Sequence, residues 1–493
     1  MTEEQGNASL EAYIEEASYP SRRDVLKDSF FNASAGELTL VAGPSGSGKT
    51  TLLLAITGVL KHLLQGNVRG RVNLAGIDPL TEEGFSKVPR IVGAVMQDPD
   101  KQLAMPTPYD EVSFTLENLG INNEGKVWDV LREYGLEEHA FKPVEHLSGG
   151  QQRRLAIAAA LAHDPDVVVL DEPTASLDPW GVKSLKGTIT RLLRRGKTVV
   201  VVEHKVRYFL DMTSRTYVIK NGVISAEYRR DELLSSDALR ELLMTGIDAL
   251  PPEAHVRDAR SEEGEGEVTV SLSNLTCGYG DVVVLEDVDM ELRAGEVGVL
   301  VGPNGSGKTT LLKCIAGLLE PVDGYVRVMG EDPRRAGVRP RGRLVFYVPQ
   351  IPDYTFVSNS VGGELREVSK KVGVAFRDLV SIAPWVKDAL QRPPYRLSHG
   401  QRRWLALSIG IAYTPKALLL DEPTTGLDLR FMGELRRLLA KAIRAGAAVL
   451  IATHDPRLVA EVADRAFIVD GGRVREVSVV DALKYLEEPL RGS

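Results

Sequence analysis

The sequence predicts an α/β protein of two tandem domains, each a mainly parallel sheet core with a helical subdomain. Three observations carry the prediction. Short, largely apolar runs recur at 37–43, 91–97, 167–171 and 197–204, the pattern of parallel strands buried on both faces. Stretches of helical character separate these runs, as in a doubly wound core. The whole arrangement then occurs again, with matching runs at 296–302, 344–350, 417–421 and 447–454, so the chain is a tandem duplication. The predicted boundaries are 1–249 and 267–493.

Spacing supports the duplication. Lys49 and Lys308 lie 259 positions apart, and both Asp171/Asp421 and His204/His454 lie 250 apart. The stretch 250–266 between the copies is rich in Pro, Gly and charge and reads as a linker. A flexible chain of about 17 residues spans ~23 Å root-mean-square, enough for two lobes to part without dissociating.

Composition narrows the classes. The chain has 493 residues, of which 43% are hydrophobic and 26% charged, an ordinary globular balance. A net charge of −8 argues against a bulk basic field for nucleic acid. No apolar run approaches the roughly 18–20 residues that span a bilayer, and the acidic opening lacks the apolar core of a signal peptide. Two cysteines, Cys277 and Cys314, stand at no metal-ligand spacing, which argues against structural zinc or iron–sulfur sites and fits a reducing compartment.

In the first copy, the strand at 37–43 runs into Gly43-Pro44-Ser45-Gly46-Ser47-Gly48-Lys49-Thr50-Thr51. In the second, the strand at 296–302 runs into Gly302-Pro303-Asn304-Gly305-Ser306-Gly307-Lys308-Thr309-Thr310. Both match the phosphate loop G-x-x-x-x-G-K-[ST] in its strand–turn–helix context. Glycines let the backbone wrap an anion, and the helix N-terminus adds a favourable dipole. Lys49 and Lys308 are placed to reach the β- and γ-phosphates of ATP, and Thr50 and Thr309 to bind Mg2+. VVVLDEP (167–173) and ALLLDEP (417–423) end buried strands on two acids. Asp171 and Asp421 are candidate Mg2+ ligands, and Glu172 and Glu422 candidates for polarising the attacking water. The alternative for each pair is a solvated acidic turn.

With these motifs stand Gln97 and Gln350 at the ends of strands, LSGGQ (147–151) and LSHGQ (397–401) before helices, and His204 and His454. Five such elements in one order, twice, resemble the ATP-binding-cassette (ABC) ATPase family over nearly the whole chain. The resemblance implies that Gln97 and Gln350 contribute to Mg2+ and the catalytic water, and that His204 and His454 contact the γ-phosphate. It implies that Ser148, Gly149, Gly150 and Gln151, and likewise Ser398, His399, Gly400 and Gln401, cap the ATP held by the opposite half. Tyr19 and Tyr279 stand where the family stacks an aromatic ring on adenine, or else pack as core. His399 departs from the family's glycine; a position needing φ > 0 would be strained there. The site pairing Lys49, Asp171, Glu172 and His204 with Ser398–Gln401 is therefore expected to be the weaker. Arg153, Arg154, Arg402 and Arg403, which follow the signatures, read as a solvated helix face.

The segment 98–121 narrows the branch. Gln97, Asp98, Pro99, Gln102, Asp110, Glu111, Val112 and Phe114 resemble the Q-x-P-x-x-Q and D-E-V-x-F pattern of energy-coupling-factor (ECF) importers and their cobalt or nickel relatives; the second copy keeps Gln350, Pro352 and Glu364. That branch implies an ATPase at the cytoplasmic face of the cell membrane. Its partners would be an integral membrane scaffold subunit and a small substrate-binding membrane subunit, with vitamins, vitamin precursors or transition-metal ions as cargo. The rival readings are a soluble tandem ABC ATPase acting on ribosomes or DNA and the tandem ATPase of a sugar importer. Ribosome-recycling relatives carry a cysteine-rich N-terminal cluster, which this sequence lacks.

Overall fold

A computed structural model describes residues 8–20, 22–44, 46–96, 99–175, 177–203, 206–233, 266–381, 385–424 and 429–490. These residues form two compact units, one drawn almost wholly from 8–233 and the other from 266–490. Most of the expected linker, with Ser45, Gln97, Asp98 and His204, lies outside the described residues.

In the first unit, strands β1 (Ala8–Tyr19), β2 (Arg22–Ser34), β3 (Leu38–Ala42), β4 (Asn67–Leu74), β5 (Val92–Val95), β6 (Val167–Asp171), β7 (Thr198–Val202), β8 (Arg215–Lys220) and β9 (Val223–Arg229) make two sheets. The larger runs β5-β6-β7-β3-β8-β9, parallel except for the antiparallel β8–β9 pair. Every residue of β3, β6 and β7 is buried, so these Val- and Leu-rich runs are covered on both faces. Each fully buried Val or Leu side chain contributes about 1.5–3 kcal/mol. The strand at 167–171 fills its apolar run, whereas β3 ends at Ala42, one residue before Gly43 opens the phosphate loop.

The second sheet, β2-β1-β4, is antiparallel and is absent from the sequence reading. Leu10, Ala12 and Ile14 alternate inward, but the register against β4 shifts between Ile14 and Glu16, so the next buried residue is Ala17. This bulge breaks the period-two signal halfway along the strand.

The helices of the first unit include α1 (Lys49–Ile56), α2 (Pro108–Asn118) and α3 (Glu124–Glu133). A fourth, α4 (Gly149–Leu161), follows the first signature. Val112 and Leu116 of α2, Val127 and Leu131 of α3, and Leu155 and Ala158 of α4 share one hydrophobic cluster, the expected helical subdomain.

The second unit repeats the design. Strands β10 (Val268–Tyr279), β11 (Val282–Arg293), β12 (Val297–Val301), β13 (Asp323–Val328), β14 (Val345–Val348), β15 (Ala417–Asp421), β16 (Ala448–Ala452), β17 (Arg465–Asp470) and β18 (Arg473–Val477) form sheets β14-β15-β16-β12-β17-β18 and β11-β10-β13. The bulge recurs as well: the register of β10 shifts between Leu272 and Leu275. Helices α5 (Lys308–Ile315), α6 (Val361–Val372) and α7 (His399–Ala412) match α1, α2 and α4.

Candidate nucleotide-binding sites

Each candidate site lies past the carboxyl ends of the parallel strands, where open α/β sheets bind ligands. In the first unit the chain leaves β3 at Gly43, whose Cα hydrogen occupies a place no side chain fits. A Cβ there would stand 2.4 Å from the Ile219 carbonyl and 2.7 Å from Ser47 Oγ. Gly302 is confined in the same way, 2.2 Å from the Val469 carbonyl. Gly48 and Gly307 precede the helices at φ 111 and 109, left-handed values that favour glycine. They turn the backbone so that α1 and α5 start at Lys49 and Lys308.

Both lysines are buried and turned back on the loop. Lys49 Nζ donates to the Gly43 carbonyl at 2.8 Å and to Pro44 at 3.1 Å; Lys308 Nζ donates to Gly302 at 2.7 Å and to Pro303 at 2.9 Å. Burial lowers both ammonium pKa values, while the nearby carboxylates, Glu172 for Lys49 and Glu422 for Lys308, pull them back up. Thr50 Oγ1 donates to Asp171 Oδ2 at 2.8 Å, and Thr309 Oγ1 to Asp421 Oδ2 at 2.8 Å. In each unit the structure thus joins the phosphate-loop threonine to the strand-end aspartate. Burial raises both aspartates, opposed by these hydroxyl bonds.

The donor set fits Mg2+ and phosphate. Asp171 Oδ1 and Glu422 Oε2 are buried oxygens without a hydrogen-bond partner among the described residues, as are the hydroxyls of Ser47 and Ser306. A hard cation takes such carboxylate and hydroxyl oxygens, and a phosphate takes hydroxyl hydrogens. Gly46 and Gly305 stand at the bends of the loops at φ 76 and 82. Thr51 and Thr310 are buried one position beyond the hydroxyl donors.

The glutamates leave their strands in a costly conformation. Glu172 stands at φ 46 and Glu422 at φ 47, a left-handed state worth about 1–2 kcal/mol of strain for a residue with a Cβ. Their amides are held by the Val202 and Ala452 carbonyls at 2.8 and 2.9 Å. Glu422 is buried, and its Oε1 lies 3.0 Å from His454 Nδ1. Burial alone would raise its carboxyl; His454 and Lys308 overcome that and hold it below the usual carboxylate range. His454 therefore meets a glutamate directly, while His204 and Gln97 lie outside the described residues.

Both signature segments begin helices with a reciprocal cap. Ser148 Oγ accepts from the Gln151 amide at 3.3 Å while Gln151 Oε1 accepts from the Ser148 amide at 2.8 Å. Ser398 and Gln401 do the same at 3.2 and 3.1 Å. Each serine hydroxyl is thereby used as an acceptor, leaving its hydrogen for an anion at the helix start. Gly149 does not stand in the left-handed region, and a Cβ built on it meets nothing within 4 Å. The expected strain at His399 is therefore corrected: it begins α7 as Gly149 begins α4, at a position that tolerates a side chain. Gly150 and Gly400 follow in the first turns.

Tyr279 is 47% exposed beneath Lys313, whose Nζ lies 5.8 Å from the ring centroid, leaving ring surface open to a planar base. Tyr19 is half-buried, packs against the core, and places its hydroxyl 3.3 Å from Thr51 Oγ1. Its surroundings suit the core alternative better than Tyr279's do.

The arginines correct the sequence reading most. Arg154 is exposed as expected. Arg402, by contrast, grips Asp353 with bonds of 2.8 and 3.0 Å, and Arg153 donates to the carbonyls of Pro173 and Ala175. Arg403 is only 2% exposed and donates to the carbonyls of Glu422 and Gln350, the latter at 2.6 Å. A guanidinium supplies five donors in a fixed fork, enough to satisfy backbone carbonyls that water cannot reach. Gln350 itself has an exposed side chain. Two further residues escaped the sequence reading. Tyr347 donates its hydroxyl to Asp421 Oδ2 at 2.9 Å, and the buried Glu203 accepts from the Thr174 amide at 3.3 Å and from its hydroxyl.

Comparison with known proteins agrees with this geometry. The profile of the family described as ABC transporter matches residues 26–175 and 285–425. A Methanosarcina acetivorans protein provisionally named an ABC transporter ATP-binding protein is 32% identical, over 92% of this chain and 87% of its own. A Bacillus subtilis protein provisionally named an HMP/thiamine import ATP-binding protein is 30% identical, over 92% and 89%. Among solved structures, RNase-L Inhibitor superposes with a TM-score of 0.66 at 22% identity, covering 97% of this chain and 93% of its own, a likeness of fold. Domains of this kind bind ATP with Mg2+ and hydrolyse it. With both phosphate loops inside matched spans, the chain belongs to the ABC transporter family as a tandem ABC-type P-loop ATPase.

Proposed function

We propose that this chain is the ATP-hydrolysing, energy-coupling subunit of an ECF-type importer. It would work at the cytoplasmic face of the cell membrane. The cargo, a vitamin, vitamin precursor or transition-metal ion, would pass through an integral membrane scaffold subunit and a small substrate-binding membrane subunit. No helix among the described residues is long and apolar enough to cross a membrane.

The observation that carries this reading is the loop after each edge strand. Glu111, 5% exposed at the start of α2, accepts the amides of Ala104 and Met105 at 2.8 Å each. Glu364, at the start of α6, accepts the amides of Val357 at 2.6 Å and of Ser358. Gln102 also stitches the first loop to its strand, accepting the Met96 amide at 2.9 Å and donating to the Ala94 carbonyl at 3.3 Å. Buried carboxylates that satisfy loop amides fix the backbone. The second loop then turns Ile351, Tyr354 and Val357 outward at 49%, 80% and 75% exposure, and Phe114 stands 42% exposed beside the first. A rigid loop with apolar side chains outward suits a helix of a membrane partner. The relatives named for ABC transport, one of them for HMP/thiamine import, support the same direction.

In this reading Lys49, Thr50 and Asp171, with Lys308, Thr309 and Asp421, hold two MgATP, and each half's signature caps the nucleotide of the other. Bound Mg2+ would neutralise charge building up across the β- and γ-phosphates. Glu172 and Glu422 orient the attacking water and accept its proton, and His454 holds the Glu422 carboxylate in place. A rival reading takes its support from fold likeness to an archaeal ribosome recycling factor at 22% identity. Against it, relatives of 30% identity or more are named for ABC transport. Purification of the chain from its native membranes in mild detergent tests the choice. A multi-span protein with a small hydrophobic companion is the expected result; ribosomal or DNA-repair proteins without a membrane partner would overturn it.

A further inference from the structure

A buried arginine links three parts of the second unit that the reaction must bring into register. Arg403 leaves the second turn of α7, the helix behind the LSHGQ signature. Its guanidinium is enclosed and reaches the carbonyl of Gln350, where the outward-facing loop begins, and the carbonyl of Glu422, at the end of β15. Glu422 is the residue held at φ 47. A strained conformation persists only where its surroundings determine it from several sides. Here the sides are the Ala452 carbonyl on the amide, His454 on the carboxylate and Arg403 on the carbonyl.

The equivalent residue of the first unit, Arg153, donates to the carbonyls of Pro173 and Ala175, and the Glu172 carbonyl accepts the Ala175 amide at 3.0 Å in a tight turn. Burial pushes the Arg403 guanidinium down to about 10, with Glu422 and Asp421 opposing, so the charge stays in place at neutral pH.

We propose that Arg403 is a positioning residue for hydrolysis in the second unit: it holds the Glu422 backbone in its left-handed turn and ties that turn to the loop beginning at Gln350. A shift of that loop, such as a docked partner would cause, then reaches Glu422 through one side chain. The inference rests on the proposed role of Glu422 in orienting water.

The test uses the full-length chain carrying Glu172→Gln, so that remaining turnover reports on Glu422. Single-turnover ATP hydrolysis and equilibrium ATP affinity are measured for Arg403→Lys, Arg403→Gln, Glu422→Gln and the pair Arg403→Gln/Glu422→Gln. Arg403→Gln is expected to slow hydrolysis about thirtyfold, since displacing a reacting group by about 1 Å costs up to 10²-fold, while ATP affinity stays within about twofold. Arg403→Lys, which keeps the charge and one donor, is expected to recover part of the rate, and it carries the test if the glutamine variant does not fold. The pair should be no slower than Glu422→Gln alone, as for residues that act as a unit. An unchanged rate in both Arg403 variants, a loss of ATP affinity in step with the rate, or multiplicative slowing in the pair would each overturn the proposal. If Glu422→Gln itself leaves the rate unchanged, the role of Glu422 falls and the arginine's with it, a result distinct from failure of Arg403 alone.

Discussion

The two candidate sites share a loop, a lysine, a hydroxyl and an aspartate in nearly superimposable bonds, and differ in two of the residues that stand beside their carboxylates. In the first unit the position preceding the histidine is Glu203, a buried acid bound to Thr174; in the second it is Thr453, whose hydroxyl accepts the Asp455 amide at 3.0 Å. The edge strand of the first carries Ala94, while the second carries Tyr347 against Asp421. The phosphate cradle is thus fixed by backbone shape and repeats without change. The electrostatics around it have diverged. The cradle is needed twice for two nucleotides, whereas the rate at each site is free to differ.

The largest effect should come from the part the units share. Lys49→Ala and Lys308→Ala each remove the cation that burial has already made expensive to keep charged, and each should abolish ATP binding at its own loop. A double variant with normal hydrolysis would refute the assignment of both sites. The next effect separates the units. Glu172→Gln and Glu422→Gln remove the same atom from unequal settings, and we expect Glu422→Gln to cost more, by about tenfold or above, within the 10²–10⁴-fold range of a positioned base. Equal losses in single-turnover rate would show that the surroundings do not matter.

The parts that repeat without change are also the parts a reader of the sequence can find. Phosphate loops and DEP strand ends are contiguous, and their chemistry needs particular residue types at fixed spacing. The β2-β1-β4 and β11-β10-β13 sheets were not legible because a bulge reverses the alternation at Ile14–Glu16 and Leu272–Leu275. Arg403 was misread because an arginine in the first turns of a polar-capped helix has the same local pattern in water or in the core; only the distant carbonyls of Gln350 and Glu422 decide. Tyr347 was hidden in an apolar run, where its ring satisfies the pattern and its hydroxyl does the binding. Nor was the strain at His399 real, since a glycine-rich signature suggests left-handed turns but Gly149 makes none.

Tyr347→Phe gives a smaller and more specific contrast. The phenol and the Thr309 hydroxyl both donate to Asp421 Oδ2, and hydrogen bonds to charged groups are worth about 1.5–3 kcal/mol. Without it, the Mg2+ concentration that half-saturates nucleotide binding in the second unit should fall about two- to fivefold, a difference read on a chain whose first loop carries Lys49→Ala. A rise instead would mean that the phenol holds the carboxylate in place rather than competing with the ion.

The smallest expected effect is in acid. Within the second site two adjacent carboxyls shift in opposite directions. Asp421 is raised by burial, so its contribution to stability is present below its unfolded pKa of about 3.9 and is lost as pH rises through the folded value. Glu422 is held low by His454 and Lys308 against its burial. Its contribution is present above the unfolded pKa of about 4.3 and is lost as pH falls through the folded value. Of these two, acidification below pH about 4.3 therefore removes support from Glu422 and not from Asp421. Glu422→Gln should flatten the acid limb of the second unit's Tm profile, by about 2–4 °C for each kcal/mol involved. Glu172→Gln serves as the comparison in the first unit. An acid limb that keeps its slope in Glu422→Gln would mean that the His454 contact orders the carboxylate without stabilising the fold.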